Sequence, residues 1–399
     1  MAGVQTAVAL REVGHTGPVL LLGAEPHQPY DRPPLSKAVL LGKAESAAFE
    51  IDFAALDIDL RLGVEVTAVR AADHAVDTTA GPLPYRALVL ATGATPLTLP
   101  GTEGRPGVHL LRTLDDARRL RPILAAGARL VVVGAGWIGA EFATAARAAG
   151  CSVTVVEAAD RVLAGALPAE AADAMARWYA EAGAELLTGV RVESVTDGAV
   201  RLADGRELPA DAVVVGIGAR PATDWLAATG VTRDPDGAIT ADAHLRTDLP
   251  DVYAVGDCAS FPSARYGTRL LVHHWDNALQ GPRTVARHLT ARLAGTDTAE
   301  LPAHDPVPYF WSEQFGRFVQ YAGHHTPADT LVRRGDPADP EAAGWTLCWL
   351  RPDGTLGALL SVGRPRDLAQ GRKLIESGAR PDPAVLADPS VALKAVPTL

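Results

Sequence analysis

Three cysteines in 399 residues are the first scarcity of this sequence. Cys151, Cys258 and Cys348 lie far apart and form no CxxC or CxxxxC pair. That spacing argues against a disulfide framework, a structural zinc site and a dithiol active site. Isolated thiols of this kind are ordinarily small buried apolar groups. Basic residues are also in deficit, 37 Lys and Arg against 47 Asp and Glu, a net charge of −10. That balance excludes nucleic acid as a general partner. No apolar run approaches the length of a membrane span. Arg11 and Glu12 interrupt the N-terminus before a secretory signal could develop. With 48% hydrophobic residues and a mean hydropathy of +0.08, the chain should still bury a sizeable core. It reads as a soluble, cytoplasmic protein with two or three domains and no metal site.

Apolar strand-like runs alternate with helical segments through most of residues 1–305, which marks an α/β fold. Strands are expected at Pro18–Leu22, Ala87–Ala91, Leu130–Val133, Ser152–Val156, Ala212–Gly216 and Val252–Val255. After about Asp305 the texture changes. Tyr309–Phe315, Arg317–Tyr321 and Trp345–Leu350 suggest an antiparallel meander, with a helix near Pro365–Ser377. The charge is uneven: residues 306–399 are balanced, so the acidic excess resides in residues 1–305.

One stretch carries a complete dinucleotide-binding signal. The strand ending at Val133 runs into Gly134-Ala135-Gly136-Trp137-Ile138-Gly139, an alanine-rich helix, a second strand and Glu157. Gly134 permits the tight turn, Gly136 lets a pyrophosphate approach, and Gly139 lets helix and strand pack closely. The helix N-terminus offers N–H groups to the phosphates. Glu157 can accept from both ribose hydroxyls and would repel a 2′-phosphate, which favours NADH over NADPH. Arg161 could soften that preference.

A second copy opens the chain without its front half. Gly3 and the following helix match the last glycine and helix of such a motif. Pro18–Leu22 supplies the next strand, and Glu25 closes the unit. The first strand and two leading glycines are missing. The expectation is a start upstream of Met1; the alternative is a protein that tolerates a damaged site. Two nucleotide sites suggest two cofactors and electron transfer between them. Asp257, after an apolar strand and a glycine, suits a carboxylate accepting from ribityl hydroxyls. Arg32 and Arg112 are candidate pyrophosphate partners.

Further motifs carry a family resemblance across essentially the whole chain. They are Pro29-Tyr30-Asp31-Arg32-Pro33-Pro34-Leu35-Ser36-Lys37, Leu90-Ala91-Thr92-Gly93, Val215-Gly216-Ile217-Gly218-Ala219-Arg220-Pro221, Asp251-Val252-Tyr253-Ala254-Val255-Gly256-Asp257-Cys258, Trp275-Asp276-Asn277-Ala278 and Trp311-Ser312-Glu313-Gln314. Together they resemble the FAD-dependent ferredoxin reductases of bacterial Rieske dioxygenase and cytochrome monooxygenase systems, in the pyridine nucleotide-disulfide oxidoreductase superfamily.

The resemblance implies two Rossmann-like domains and a C-terminal α+β domain. The FAD domain is expected at 1–98 and 240–305, the NAD domain at 99–239, and the last domain at 306–399. It implies FAD contacts at Gly3, Glu25, Arg32, Lys37, Val66, Ala91, Thr92, Gly93, Arg112, Asp257 and Trp275. It implies NAD contacts at Gly134, Gly136, Trp137, Ile138, Gly139, Glu157, Gly216, Ile217 and Gly218. Lys37 and Glu141 are implied to pair beside flavin N5. A cation there stabilises the reduced flavin, and the carboxylate holds the lysine. Trp311 is implied near the ring or on the electron exit route. His273 and His274 have no cysteine pair to serve and are expected to be structural.

The implied reaction takes a hydride from NADH to FAD, then single electrons to an iron–sulfur ferredoxin that supplies the oxygenase. Two alternatives stay open: an NADH oxidase or quinone reductase, and an NAD-binding protein whose FAD site is empty. An acidic ferredoxin would need local basic patches on this acidic chain. Arg265–Arg292 and the group Arg364, Arg366, Arg372 and Lys373 are the candidates.

Overall fold

The computed structural model describes residues 1–339 and 344–399. They group into two compact units. One comprises Met1–Asp31, Ala48–Thr95 and Arg220–Pro308; the other comprises Arg32–Ala47, Pro96–Ala219 and Tyr309–Leu399.

The first unit begins on a helix, Ala2–Glu12, and not on a strand. Alanines let this helix lie close to the long Trp275–Leu293 helix; Ala9 and Leu10 share a core with Val285, Ala286 and Leu289. Strand Val19–Gly23 pairs in parallel with Ile58–Leu62. Leu88–Leu90 pairs in parallel with Val252–Ala254. These are two separate two-stranded sheets, and Leu20 is exposed.

The second unit holds a parallel sheet of five strands. Their order is Glu185–Leu187, Ser152–Val156, Arg129–Val133, Ala212–Val215 and Val108–His109. Leu130–Val133 and Ala212–Val215 are wholly buried, the apolar character expected of central parallel strands. The helix Leu114–Ala125 starts with a capping box. Thr113 Oγ1 accepts from the Asp116 N–H at 3.2 Å, and the Asp116 carboxylate accepts from the N–H groups of Thr113 and Arg112 at 2.8 and 3.0 Å. That box fixes the backbone at Arg112.

The same unit carries an antiparallel sheet in the order Tyr309–Gln314, Arg317–Gly323, Leu356–Val362, Trp345–Leu350, Thr330–Arg334. It is not the simple meander that the sequence suggested. Leu356–Val362 inserts at its centre, and helix Pro365–Glu376 follows it. Among the described residues no helix is long and apolar enough to cross a membrane. Cys151, Cys258 and Cys348 are all free and buried.

Candidate active site

The glycines after strand Arg129–Val133 can be tested by asking what a methyl group would strike. At Gly134 (φ +103°) a Cβ would sit 2.4 Å from the Gly216 carbonyl oxygen. At Gly139 it would sit 2.0 Å from the Gly134 oxygen. Both must be glycine. At Gly136 the nearest atom is 3.9 Å away, so that position opens onto space that a pyrophosphate can enter. Helix Trp137–Ala148 has no side-chain cap and presents its first-turn N–H groups there. These features fit a dinucleotide. Gly216 is tied to Val133 by an N–H···O bond of 2.8 Å, and Gly218 (φ +115°) accepts from the Leu97 N–H at 2.9 Å. Ile138 and Ile217 are exposed apolar side chains on this turn, and so is Leu97, which the sequence reading missed. The Trp137 ring meets Phe310 edge-on at 4.6 Å.

Glu157 is held in place by the loops it must serve. One carboxylate oxygen accepts from the Ala135 N–H at 2.7 Å, the other from the Ala159 N–H at 2.8 Å. Each oxygen keeps a lone pair for a ribose hydroxyl. Arg161 is engaged with Asp160 at 3.2 Å. Glu157→Ala should therefore narrow the NADH-over-NADPH preference. Losing the ribose contact should cost on the order of 1–3 kcal/mol of discrimination. Steady-state kcat/KM ratios for the two coenzymes measure it, and a wild-type preference for NADPH would refute the assignment.

Lys37 follows a short 3-10 turn, Pro33–Ser36, whose prolines preset its backbone. Its Nζ lies 2.7 Å from Glu141 Oε2 and 3.4 Å from the Pro33 oxygen. Glu141 sits on the first turns of the Trp137–Ala148 helix and is 7% exposed. Its Oε2 also accepts from Ser36 Oγ at 2.5 Å, and its Oε1 accepts from Ser312 Oγ at 2.9 Å. Ser36 and Ser312 were missed as site residues, although both stand inside the motifs that drew attention to their neighbours. Trp311, beside Ser312, stacks on Tyr309 with centroids 5.9 Å apart. Arg32 Nη1 donates to the Arg112 backbone oxygen at 2.5 Å, so the two arginines are neighbours.

The other expected residues lie in the first unit. A Cβ on Gly3 would come within 3.2 Å of Leu21 Cδ1 and 3.5 Å of Ala91 Cβ, so Gly3 lets the first helix approach both strands. Glu25 accepts from the Tyr30 hydroxyl at 2.6 Å. Val66 packs against the core that contains Leu90 and Val252. Thr92 Oγ1 donates to the Ala222 oxygen, and Gly93 (φ +72°) accepts from the Ala222 N–H, both at 2.9 Å. Asp257 lies in the short turn Gly256–Cys258. At Gly256 (φ +73°) a Cβ would lie 3.0 Å from Ala2 Cβ and 3.8 Å from Ala278 Cβ. Two helix starts, at Ala2 and Trp275, thus meet at this turn, and neither has a side-chain cap. Their converging dipoles suit a diphosphate. Trp275 Nε1 donates to Asp31 Oδ1 at 2.7 Å. Burial pushes the adjacent His274 down to about 4, against the pull of Asp257.

Residues 1–281 match the family model described as pyridine nucleotide-disulphide oxidoreductase, and residues 309–397 match the one described as reductase C-terminal. The chain belongs to the pyridine nucleotide-disulphide oxidoreductase family. Within it, the chain is 38% identical to the anthranilate 1,2-dioxygenase system ferredoxin–NAD(+) reductase component of Burkholderia cepacia, covering 98% of this chain and 96% of that one. It is 35% identical to putidaredoxin reductase of Pseudomonas putida, over 99% and 94%. The crystal structure of the covalent putidaredoxin reductase–putidaredoxin complex superposes with a TM-score of 0.90, at 35% identity, over 98% of this chain and 95% of that one. This member of the pyridine nucleotide-disulphide oxidoreductase family is an oxidoreductase with FAD and NADH as its cofactors. Despite the family's name, its cysteines are isolated and buried.

Proposed function

We propose that the protein passes a hydride from NADH to FAD and then single electrons to a ferredoxin that supplies an oxygenase. The observation that carries this is the match to a dioxygenase-system ferredoxin–NAD(+) reductase component over nearly the full length of both chains. The isolated, buried thiols support it, because they leave no dithiol to relay the electrons. FAD, when bound, supplies the conversion of a two-electron hydride into single electrons. The chain's own residues bind, orient and shield. Gly134, Gly136, Trp137, Ile138, Gly139, Glu157, Gly216, Ile217 and Gly218 hold NADH, with Leu97 as an added apolar wall. Gly3, Glu25, Arg32, Val66, Ala91, Thr92, Gly93, Arg112, Asp257 and Trp275 hold FAD. Lys37, oriented by Glu141, would help hold the flavin ring, and Trp311 would lie on the electrons' way out. The domain division is 1–98 with 240–305 for FAD, 99–239 for NAD, and 306–399 for the last domain. The setting is cytoplasmic.

Docking of the ferredoxin relies on local positive charge. Arg364 is already committed, donating to Asp367 at 2.8 Å and to the Pro389 oxygen at 2.8 Å. Arg372 pairs with Glu376, and Arg292 with Asp251. Arg283, Arg287, Arg366 and Lys373 are exposed and better suited to steering. The flavin-loaded protein is tested with NADH and a [2Fe–2S] ferredoxin, against oxygen or a quinone alone. Ferredoxin reduction should be the faster by at least about tenfold. Raising ionic strength past about 0.1 M, where screening acts over about 10 Å, should slow ferredoxin reduction but not ferricyanide reduction. Charge reversal at Arg366 and Lys373 should act like added salt. Equal turnover with oxygen or quinone would make the protein an oxidase or quinone reductase. Equal salt sensitivity for both acceptors would remove the docking face.

A further inference from the structure

Glu141 is an acceptor with about four lone-pair sites, and four donors converge on it. Lys37 Nζ and Ser36 Oγ share Oε2, at 2.7 and 2.5 Å. Oε1 takes Ser312 Oγ at 2.9 Å and, more weakly, the Glu313 N–H at 3.4 Å. The asymmetry matters. A glutamate carboxylate turns about its last torsion in a broad well, and donors on both oxygens hold its plane more firmly than donors on one. Ser312 is the side chain that holds the opposite oxygen.

Ser312 is itself fixed. It is 1% exposed, and its Oγ accepts from Gln314 Nε2 at 3.2 Å, also 1% exposed. Gln314 fills an acceptor site of the hydroxyl and leaves its single hydrogen for Glu141. The strand cannot slide either. Just past its end, the Phe315 N–H donates to Thr144 Oγ1 at 2.9 Å, one turn beyond Glu141 on the same helix. Thr144 Oγ1 in turn donates to the Ala140 oxygen at 2.8 Å. Strand Tyr309–Gln314 and the residue after it are therefore fastened to the dinucleotide-binding helix through Ser312, Glu313 and Phe315.

We propose that Ser312 is a positioning residue for the redox reaction: it locks the plane of the Glu141 carboxylate and so sets how Lys37 is presented to the flavin. This rests on the reading of Lys37 and Glu141 as the flavin-side pair. Through Ser312, a strand of the C-terminal domain thereby contributes to the reductive half-reaction by way of Glu141.

The test uses flavin-loaded wild type, S312A, S312T, E141Q and S312A/E141Q. Anaerobic stopped-flow gives the rate of reduction by NADH, dye-coupled titration gives the flavin midpoint potential, and fluorescence gives the Kd for NAD+. S312A should slow reduction about tenfold, the scale of one lost hydrogen bond to a charge, and should move the potential. S312T, which keeps the hydroxyl, should recover most of the rate. The Kd for NAD+ should change by less than about twofold, because the glycine turn is untouched. In the E141Q background S312A should cost nothing further, because both act through one group. A normal rate and potential in S312A beside a slow E141Q would overturn the proposal and leave the pair standing. Independent, multiplying losses in the double variant would also overturn it. A normal E141Q would overturn the pair itself. Should S312A fail to load flavin, S312C keeps the shape with a weaker donor and must give an intermediate rate; a wild-type rate there would refute the role.

Discussion

If the pair lies beside the flavin as proposed, Lys37→Ala and Glu141→Gln should each slow anaerobic reduction by NADH by at least about tenfold and shift the flavin potential, because each breaks the lysine–carboxylate pair. NAD+ binding through the Gly134–Gly139 turn should persist in both. The physical cost is asymmetric. Lys37→Ala leaves a 7% exposed carboxylate without its cation. Breaking a buried pair costs about 3–5 kcal/mol. With the Lys37 side chain 23% exposed, solvent screening brings the expected loss nearer about 2 kcal/mol. Glu141→Gln keeps the shape and some of the hydrogen bonds, so it should disturb stability less than rate. Stopped-flow traces and denaturant midpoints separate the two effects. Wild-type reduction rates in both variants would take the pair out of the mechanism.

Arg334→Met should cost about 3–5 kcal/mol of stability in the C-terminal domain, the range for removing one member of a buried charged network. Arg334 ends the edge strand Thr330–Arg334 and is 0% exposed. Its Nε faces Asp367 at 3.3 Å, and Nη1 donates to the backbone oxygens of Leu386 and Asp388. Nη2 donates to the Val391 oxygen at 2.8 Å. Asp367 also accepts from Thr346 and Arg364. One guanidinium thus ties the sheet to the segment around residues 386–391. Methionine fills part of the volume but strands three carbonyl oxygens and takes from Asp367 one of its two guanidinium partners. Lysine should rescue little, since a point ammonium cannot span that planar set of acceptors. Limited proteolysis should cut first in residues 380–399 of the variant. An unchanged unfolding midpoint and an unchanged digest would show that this network contributes little.

Local features were legible in the sequence; distant pairings were not. Gly134, Gly136 and Gly139 announced themselves by spacing, and the structure supplies the steric reason for Gly134 and Gly139. The strands around residues 130, 153 and 213 were found because central parallel strands are continuous apolar runs. The strand Leu356–Val362 was missed for a related reason. It is buried at every position, so its period of two vanishes, and its glycine and neighbouring turn residues read as loop. Thr330–Arg334 is a short edge strand ending in two arginines, which masks it further. Within the site, Lys37 and Glu141 were found by motif. Ser312 lies 171 residues from Glu141, and no spacing rule connects a serine to a carboxylate at that separation. Arg334 was invisible for the same reason: its partners lie 33 to 57 residues downstream. Buried networks of that kind are properties of the fold and not of any segment.

The three cysteines carry one more consequence. Burial pushes the Cys348 thiol up to about 12 and raises those of Cys151 and Cys258 as well. None offers an accessible thiolate at neutral pH. The native chain should therefore resist maleimides and iodoacetamides, without the usual work of stripping out wild-type cysteines. A single cysteine placed at an exposed position away from the steering arginines, such as Ser194, would be the one site to take a spin label or a fluorophore. Distances and exchange rates between this protein and its redox partner can then be read from an otherwise unaltered enzyme.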